Sequence, residues 1–104
     1  MRTRHWAAVL AALPVSISAA LAQDASALRA SGLAAICAQC HGTNGRTQGD
    51  TVPGLAGRNR EQIASLLREF REGKRPATVM HQISKGLTDQ QVDTLAAYFA
   101  AVKN

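Results

Sequence analysis

Cys37-Ala38-Gln39-Cys40-His41 is the stretch that decides the fold of this chain, and it contains both cysteines of the sequence. Two thiols separated by two residues and followed at once by a histidine form the attachment signature of a c-type haem. Cysteines three positions apart on a helix share one face, so both thiols can reach the same macrocycle. We therefore predict one covalent haem c, attached through Cys37 and Cys40, with His41 as an axial ligand of the iron.

Three other uses of the two cysteines fit the sequence less well. A disulfide across two intervening residues closes a very small loop and removes little entropy from the unfolded chain. A redox-active C-x-x-C normally lies beside a strand in a βαβ unit, and no convincing strand pattern is present. Zinc needs at least three protein ligands, and beyond His41 the chain after residue 22 offers only His81.

The beginning of the chain has the features of a secretory signal peptide. A basic start is followed by an alanine-rich apolar run that closes with the cleavage pattern Ala20-Leu21-Ala22. An uncleaved membrane anchor is the alternative, but the run has only about the minimum length for a span, and Pro14 interrupts it. We predict cleavage of residues 1–22, a periplasmic haem domain over residues 23–104, and no stable membrane insertion after cleavage.

Composition limits the chain to one small domain with an excess of positive charge. The chain has 104 residues, 12 Lys plus Arg, 7 Asp plus Glu and a formal net charge of +5. So short a chain buries a modest core and often needs an additional stabilising group, and a covalently attached macrocycle can be that group. Seven cations between the central loop and the last helix indicate either a solvated face or docking to an acidic partner, whereas nucleic acid is not expected. These cations are Arg58, Arg60, Arg68, Arg71, Lys74, Arg75 and Lys85.

Helical periodicity and capping residues predict three main helices. The first begins near Asp24 or Ser26 and runs into the C-x-x-C-H stretch, the second begins at Asn59 with Gln62 as capping-box partner, and the third begins at Thr88. Apolar residues recur at helical spacing along all three. The expected core positions are Leu28, Leu33, Ile36, Ile63, Leu66, Leu67, Phe70, Val92, Leu95, Phe99 and Val102.

One glycine, Gly32, and one aromatic residue, Tyr98, suggest how the helices pack against each other. Gly32 lies in the middle of the first helix, where it is either tolerated or marks a close crossing with the last helix. We favour the crossing. Tyr98 lies at the border of the apolar stripe of the last helix, as a packed aromatic residue or as a hydroxyl donor near the cofactor.

Residues downstream of the cysteines are candidates for the rest of the iron environment. Residues 43–57 form a long loop rich in glycine, and Pro53 lies twelve residues after His41. Its carbonyl is a candidate acceptor for the second N–H of the imidazole, although Pro53 is equally explained as a rigid turn residue. Met80 is the one methionine besides the initiator and is predicted as the second axial ligand, while a core methionine and ligation by His81 are the alternatives.

Taken together, these features resemble class I cytochromes c over residues 24–103. The stretches CAQCHGTNG and VPGLAG are similar to bacterial c-four-type haem domains, and TVMHQISKGLT and LAAYF are similar to the cytochrome subunit of flavocytochrome c sulfide dehydrogenases. The resemblance implies an all-α class I cytochrome c fold, with three main helices and loops wrapped around one covalent haem. It also implies His41/Met80 ligation, Pro53 as the acceptor for His41, and single-electron transfer in the periplasm.

The sequence departs from the resemblance in two ways. Many class I members hold a haem propionate with a tryptophan, and here Arg58 is the candidate replacement as a charge-assisted donor. Proteins of the c-four type usually carry two haem domains, but this chain has one C-x-x-C-H. We therefore expect a monohaem electron carrier and not an enzyme. The alternatives are a haem subunit of an oxidoreductase complex, such as one paired with a sulfide-oxidising flavoprotein, and a haem enzyme or gas sensor with an open iron site.

Overall fold

Four α-helices and one short 3₁₀ turn make up the regular structure of residues 13–103. The computed structural model describes residues 13–103, with side chains described from residue 19 onward. Within this part of the chain there is no β-strand, so the all-α prediction is confirmed. The helices are α1 (Leu13–His41), α2 (Arg60–Arg71), α3 (Met80–Lys85) and α4 (Asp89–Ala101).

Helix α1 is longer than the sequence predicted. It is continuous from Leu13, so neither Asp24 nor Ser26 caps its start, and the Ser26 hydroxyl instead donates to the Gln23 carbonyl at 2.8 Å. The alanine-rich sequence on both sides of Asp24 has high helix propensity, and this propensity explains the continuity. The first twelve residues of the predicted signal peptide lie outside the described residues, and its cleavage stays a prediction. No helix within residues 13–103 has both the length and the hydropathy needed to cross a bilayer.

The core is small and is centred on α4, which contacts both α1 and α2. Four predicted core positions are buried as expected, and three alanines join them. These alanines were not among the predicted core positions, because those were all large apolar residues. The buried apolar residues are Ala34, Ile63, Ala64, Val92, Leu95, Ala96 and Phe99.

Three predictions about α1 are wrong. Leu28 and Ile36 are 74% and 64% exposed, because the buried side of α1 is formed by Ala34 with partly buried Leu33 on the same side. Gly32 does not mark a close crossing, since a Cβ added there would meet nothing within 4 Å. Ala34 is the buried residue of α1, and it belongs to the same core cluster as the buried residues of α4.

Capping at two helix starts follows the sequence. The Thr88 hydroxyl accepts from the Gln91 backbone N–H at 3.2 Å and the Gln91 side chain accepts from the Thr88 N–H at 2.9 Å, which completes a capping box. At α2 the Asn59 side chain accepts from the Gln62 N–H at 2.9 Å. Within the described chain, the Gln62 side chain makes no return bond to Asn59, so this cap is simpler than predicted.

Ion pairs neutralise most of the predicted basic surface. Four of the seven cations pair with four carboxylates on α2, on α4 or just after α2. The pairs are Arg68–Asp93, Arg71–Asp89, Lys74–Glu72 and Arg75–Glu69. The Arg71 guanidinium, 2.6 Å from Asp89, holds the pKa of that carboxyl below its usual value. The other three cations, Arg58, Arg60 and Lys85, pair with no carboxylate among residues 19–103.

Candidate functional site

The last turns of α1 present the two cysteines on one helical face. Cys37 is half-buried and Cys40 is exposed, and no disulfide joins them. Burial raises the pKa of the Cys37 thiol, and a helix C-terminus also disfavours the thiolate because its carbonyls carry partial negative charge. A redox-active C-x-x-C depends on the opposite shift, a lowered pKa of the attacking thiol. The geometry therefore does not suit thiol–disulfide exchange.

His41 ends α1 as a buried, oriented imidazole. Its side chain is part of a residue only 8% exposed, and Nδ1 lies 2.7 Å from the Pro53 carbonyl oxygen. A carbonyl can only accept, so the proton lies on Nδ1 and Nε2 keeps its lone pair free for a metal. The twelve-residue spacing of the sequence thus brings Pro53 to the imidazole that it was expected to orient.

A tight turn after His41 fixes the segment that carries Pro53. The Gly45 carbonyl accepts from two backbone N–H groups, those of Leu55 at 2.8 Å and Ala56 at 3.1 Å. Gly45 has φ +74° and is buried, and an added Cβ there would lie 2.8 Å from the Leu55 Cβ. Only glycine fits this position, because both the backbone conformation and the close approach exclude a side chain.

Residues Asn44 and Gly45 were missed by the sequence analysis as parts of the site. The sequence predicted a glycine-rich loop over residues 43–57 and gave Asn44 no role, whereas Thr43–Gly45 forms a 3₁₀ turn in which Asn44 has φ +55°. A signal was present, since Asn-Gly is the dipeptide that most readily adopts positive φ in tight turns. The side chain of Asn44 also accepts a 2.8 Å hydrogen bond from the Tyr98 hydroxyl.

Met80 and His81 begin α3, a short helix that is not among the three main helices predicted from the sequence. Val79 is the N-cap of this short helix, and α3 packs against α2. Met80 and His81 are both half-buried, and His81 Nδ1 is buried with no hydrogen-bond partner among the described residues. The adjacent thioether and imidazole therefore both stay candidates for a metal ligand on this helix.

Arg58 lies at the end of the loop with an exposed side chain. Its backbone N–H donates to the Leu55 carbonyl at 3.3 Å, which ties it to the same turn. Within the described chain its guanidinium makes no ion pair. It is thus available to an acidic group from outside the protein, as the propionate hypothesis requires.

The donor set fits haem c. Two free thiols lie at the end of one helix, a buried imidazole beside them keeps Nε2 for iron, and a thioether lies on a separate helix. Thioether attachment, an imidazole ligand and a methionine sulfur ligand require this combination of groups. Among the described residues, no group of three or more His, Cys, Asp or Glu side chains is placed to hold a metal ion such as zinc.

The chain is similar in sequence to several known cytochromes. Residues 26–99 match the family model described as Cytochrome C oxidase, cbb3-type, subunit III. The cytochrome subunit of sulfide dehydrogenase from Chlorobaculum tepidum is 38% identical over 63 residues, covering 61% of this chain and 56% of that protein. Cytochrome c4 from Pseudomonas aeruginosa is 35% identical over 82 residues, covering 79% of this chain and 40% of that protein.

A solved structure gives the same result for the fold. Cytochrome c4 from Acidithiobacillus ferrooxidans superposes with a TM-score of 0.60 at 38% identity, covering 64% of this chain and 38% of that one. The chain thus spans about half the length, or less, of these relatives. The resemblance seen in the sequence and the predicted fold class are confirmed.

Proposed function

The chain belongs to the family of c-type cytochrome haem domains and carries one covalent haem c, and we propose that it is an exported single-electron carrier ligated by His41 and Met80. Haem c, when bound, supplies a one-electron Fe(III)/Fe(II) couple. The observation that carries the proposal is the 2.7 Å hydrogen bond from His41 Nδ1 to the Pro53 carbonyl. It orients the imidazole, raises its basicity and leaves Nε2 for the iron.

The C-terminal turns of α1 hold the cofactor from one side. Cys37 and Cys40 supply the two sulfur atoms for thioether bonds, and their position on one helical face suits a single macrocycle. His41 is buried between this helix and the loop that carries Pro53. Burial keeps water away from the imidazole and fixes the ring, so that little rearrangement accompanies a change in charge at the metal.

Met80 is the proposed ligand on the opposite side. Its neutral thioether favours the reduced metal and raises the reduction potential, whereas ligation by His81 lowers it. If His41 and Met80 both held the iron, no protein-ligand position would be left open for a substrate. The chain's residues therefore suit electron transfer better than an enzyme or gas sensor with an open iron site.

The visible spectrum of the haem-loaded protein tests the ligand assignment. We expect a low-spin spectrum with the weak iron–methionine charge-transfer band in the oxidised form. Met80→Ala should abolish this band and His81→Ala, as the matched neighbouring variant, should retain it. The reverse pattern assigns the ligand to His81, and a high-spin, ligand-binding spectrum in the unmodified protein supports the open-site alternative instead.

Arg58 is proposed as the donor to a haem propionate. The support is its exposed guanidinium, its connection to the turn through Leu55, and the good match between guanidinium and carboxylate geometry. Arg58→Gln should change both the reduction potential and the stability of the holoprotein. Arg60→Gln, another exposed arginine without an ion pair in residues 19–103, is the control. If both variants leave the two quantities unchanged, the role of Arg58 is excluded.

The redox partner is proposed to be acidic at its docking surface, although the basic surface available to it is smaller than the sequence suggested. Four of the seven predicted cations are neutralised by carboxylates of the same chain. With Arg58 paired to a propionate as proposed, Arg60 and Lys85 remain to speed the encounter, with a rate that falls as salt is added. Because so few charges contribute, this dependence should be modest.

A second candidate function is the haem subunit of an oxidoreductase complex. The observation that favours it is the 38% identity to the cytochrome subunit of sulfide dehydrogenase. Both candidates share the haem site and differ in the partner. Stable co-purification with a flavoprotein from the native host supports the complex, whereas recovery of the chain alone with full reversible redox behaviour supports the free carrier.

Export to the periplasm is proposed from the first 22 residues. Expression of the full chain with its own N-terminus, followed by mass measurement of the haem-loaded product, tests it. A product that begins after Ala22 supports export and cleavage. A haem-loaded product that retains Met1 contradicts the signal peptide.

A further inference from the structure

A hydrogen bond connects helix α4 with the turn that follows His41. The Tyr98 hydroxyl donates to Asn44 Oδ1 at 2.8 Å, across 54 residues of sequence. The Tyr98 ring meets Phe99 edge-on, with ring centroids 5.2 Å apart and an interplanar angle of 88°. The ring contact limits the movement of the hydroxyl, and the hydrogen bond itself lies at the protein surface.

The backbone of Asn44 has positive φ, a conformation that asparagine adopts more readily than other residues with a Cβ, and the hydrogen bond from Tyr98 favours it further. Asn44 is the one residue other than glycine with positive φ in the part of the chain that the structure describes. Residues persist in this region when their surroundings hold them there. The hydrogen bond from Tyr98 holds the Asn44 side chain, and the backbone conformation of Asn44 in turn directs the carbonyl of the next residue, Gly45.

The Gly45 carbonyl connects the conformation of this turn to His41, the candidate iron ligand. It accepts from the Leu55 N–H at 2.8 Å and from the Ala56 N–H at 3.1 Å. Pro53 lies two residues before Leu55, and its carbonyl accepts from His41 Nδ1 at 2.7 Å. A rotation at the turn would therefore displace the acceptor of the imidazole hydrogen bond.

Helix α4 holds the same loop at two further points. The Gly57 N–H donates to the Phe99 carbonyl at 2.9 Å, and the Arg46 guanidinium donates to the Lys103 carbonyl just beyond α4. These contacts lie on either side of the segment that carries Pro53. Of these three hydrogen bonds, the one between Tyr98 and Asn44 acts on the turn directly after His41. It can be removed by a substitution that deletes one oxygen atom, the hydroxyl of Tyr98.

We propose that Tyr98 and Asn44 are positioning residues for His41. Their hydrogen bond holds the turn so that the Gly45 carbonyl places the Pro53 carbonyl, and the Pro53 carbonyl sets the basicity of the imidazole. A more basic imidazole stabilises the oxidised metal, so a stronger hydrogen bond lowers the reduction potential and a weaker one raises it. The inference rests on the proposed function, in which His41 is an axial ligand.

The test uses the haem-loaded protein and two single substitutions with their double combination. Tyr98→Phe removes the hydroxyl and keeps the ring, and Asn44→Gly removes the acceptor while suiting the positive φ. The readouts are the reduction potential and the solvent exchange rate of the His41 Nδ1–H, measured by NMR. We expect each substitution to raise the reduction potential. Each should also speed the solvent exchange of the His41 Nδ1–H by about five-fold, the factor for loss of one ordinary hydrogen bond. The double variant should add nothing to either single one.

A matched control separates positioning from general stability. Thr88→Ala removes the N-cap of α4, far along the helix from Tyr98, and should lower stability without moving either readout. If Tyr98→Phe and Asn44→Gly behave as Thr88→Ala does, the positioning role is refuted. Additive effects in the double variant also refute it, because two residues that act through one bond cannot act independently.

The outcome for the unmodified protein distinguishes this inference from the proposed function. If its spectrum shows no imidazole ligand, the proposed function fails, and the positioning role fails with it. If its spectrum shows the His41-ligated haem while the substitutions change only stability, the proposed function stands and the inference alone is rejected.

Discussion

Gly45→Ala is expected to disrupt the turn that follows His41 more than the same substitution at Gly49 or Gly73 disrupts its own turn. The Cβ would lie 2.8 Å from the Leu55 Cβ, 2.9 Å from the Ala56 nitrogen and 2.9 Å from the Phe99 ring. Positive φ costs a residue with a Cβ about 1 to 2 kcal/mol, and overpacking costs about 1 to 3 kcal/mol. Added together, these terms lower the free energy of unfolding by about 2 to 5 kcal/mol. At Gly49, with φ +90° and nothing within 4 Å of an added Cβ, only the first term applies.

Denaturant unfolding of the two haem-loaded variants measures this difference. Guanidinium titrations followed by circular dichroism should show a lower midpoint for Gly45→Ala than for Gly49→Ala, with the same slope for both. Gly73→Ala, with φ +71° and open space around the added Cβ, is a second control on the backbone term. If Gly45→Ala loses no more stability than the two controls, the close packing of the turn against Phe99 is not a constraint, and the reasoning is refuted.

Three further predictions concern the core, a cap and the surface charges. Phe99→Ala, at a position 2% exposed, should cost about 3 to 5 kcal/mol of stability, whereas Leu28→Ala, at 74% exposure, should stay within about 0.5 kcal/mol; urea titrations compare the two. Thr88→Ala should cost about 1 kcal/mol, and an unchanged thermal midpoint would contradict the role of the capping box. Asp89 has a pKa lowered by its hydrogen bond with Arg71, so the stability it contributes is present above its ordinary pKa of 3.8 and is lost as the pH falls below it. The denaturation midpoint of Asp89→Asn should therefore fall less on acidification than that of the unmodified protein, and equal slopes would refute the coupling.

Local motifs were the part of the structure that the sequence predicted best. The Thr88–Gln91 capping box and the buried face of α4 depend on residues three and four positions apart, whose relation a helix fixes wherever it lies. The spacing between His41 and Pro53 also gave the correct pair of atoms. Their roles toward the haem stay predictions.

The buried face of α1 could not be predicted in the same way. Alanine and leucine are spread around this helix, so periodicity does not select one side. The buried side of α1 is instead the side that packs into the core at Ala34, and Leu28 and Ile36 do not lie on that side. The partner of the Asn44 side chain is equally beyond local patterns, because Tyr98 lies 54 residues away. Only the packing of the two chain regions brings these groups together.

Helix α4 links the stability of the core to the geometry of the haem site. The Phe99 side chain is buried in the core, its ring lies against Gly45, and its carbonyl accepts from the loop that carries Pro53. Loosening of the core near Phe99 would thus reach the His41 hydrogen bond through the turn, whereas loosening at the start of α4 would not. Stability and ligand orientation are therefore coupled at one end of the helix only. This asymmetry follows because the loop has few buried side chains of its own and takes its conformation from α4.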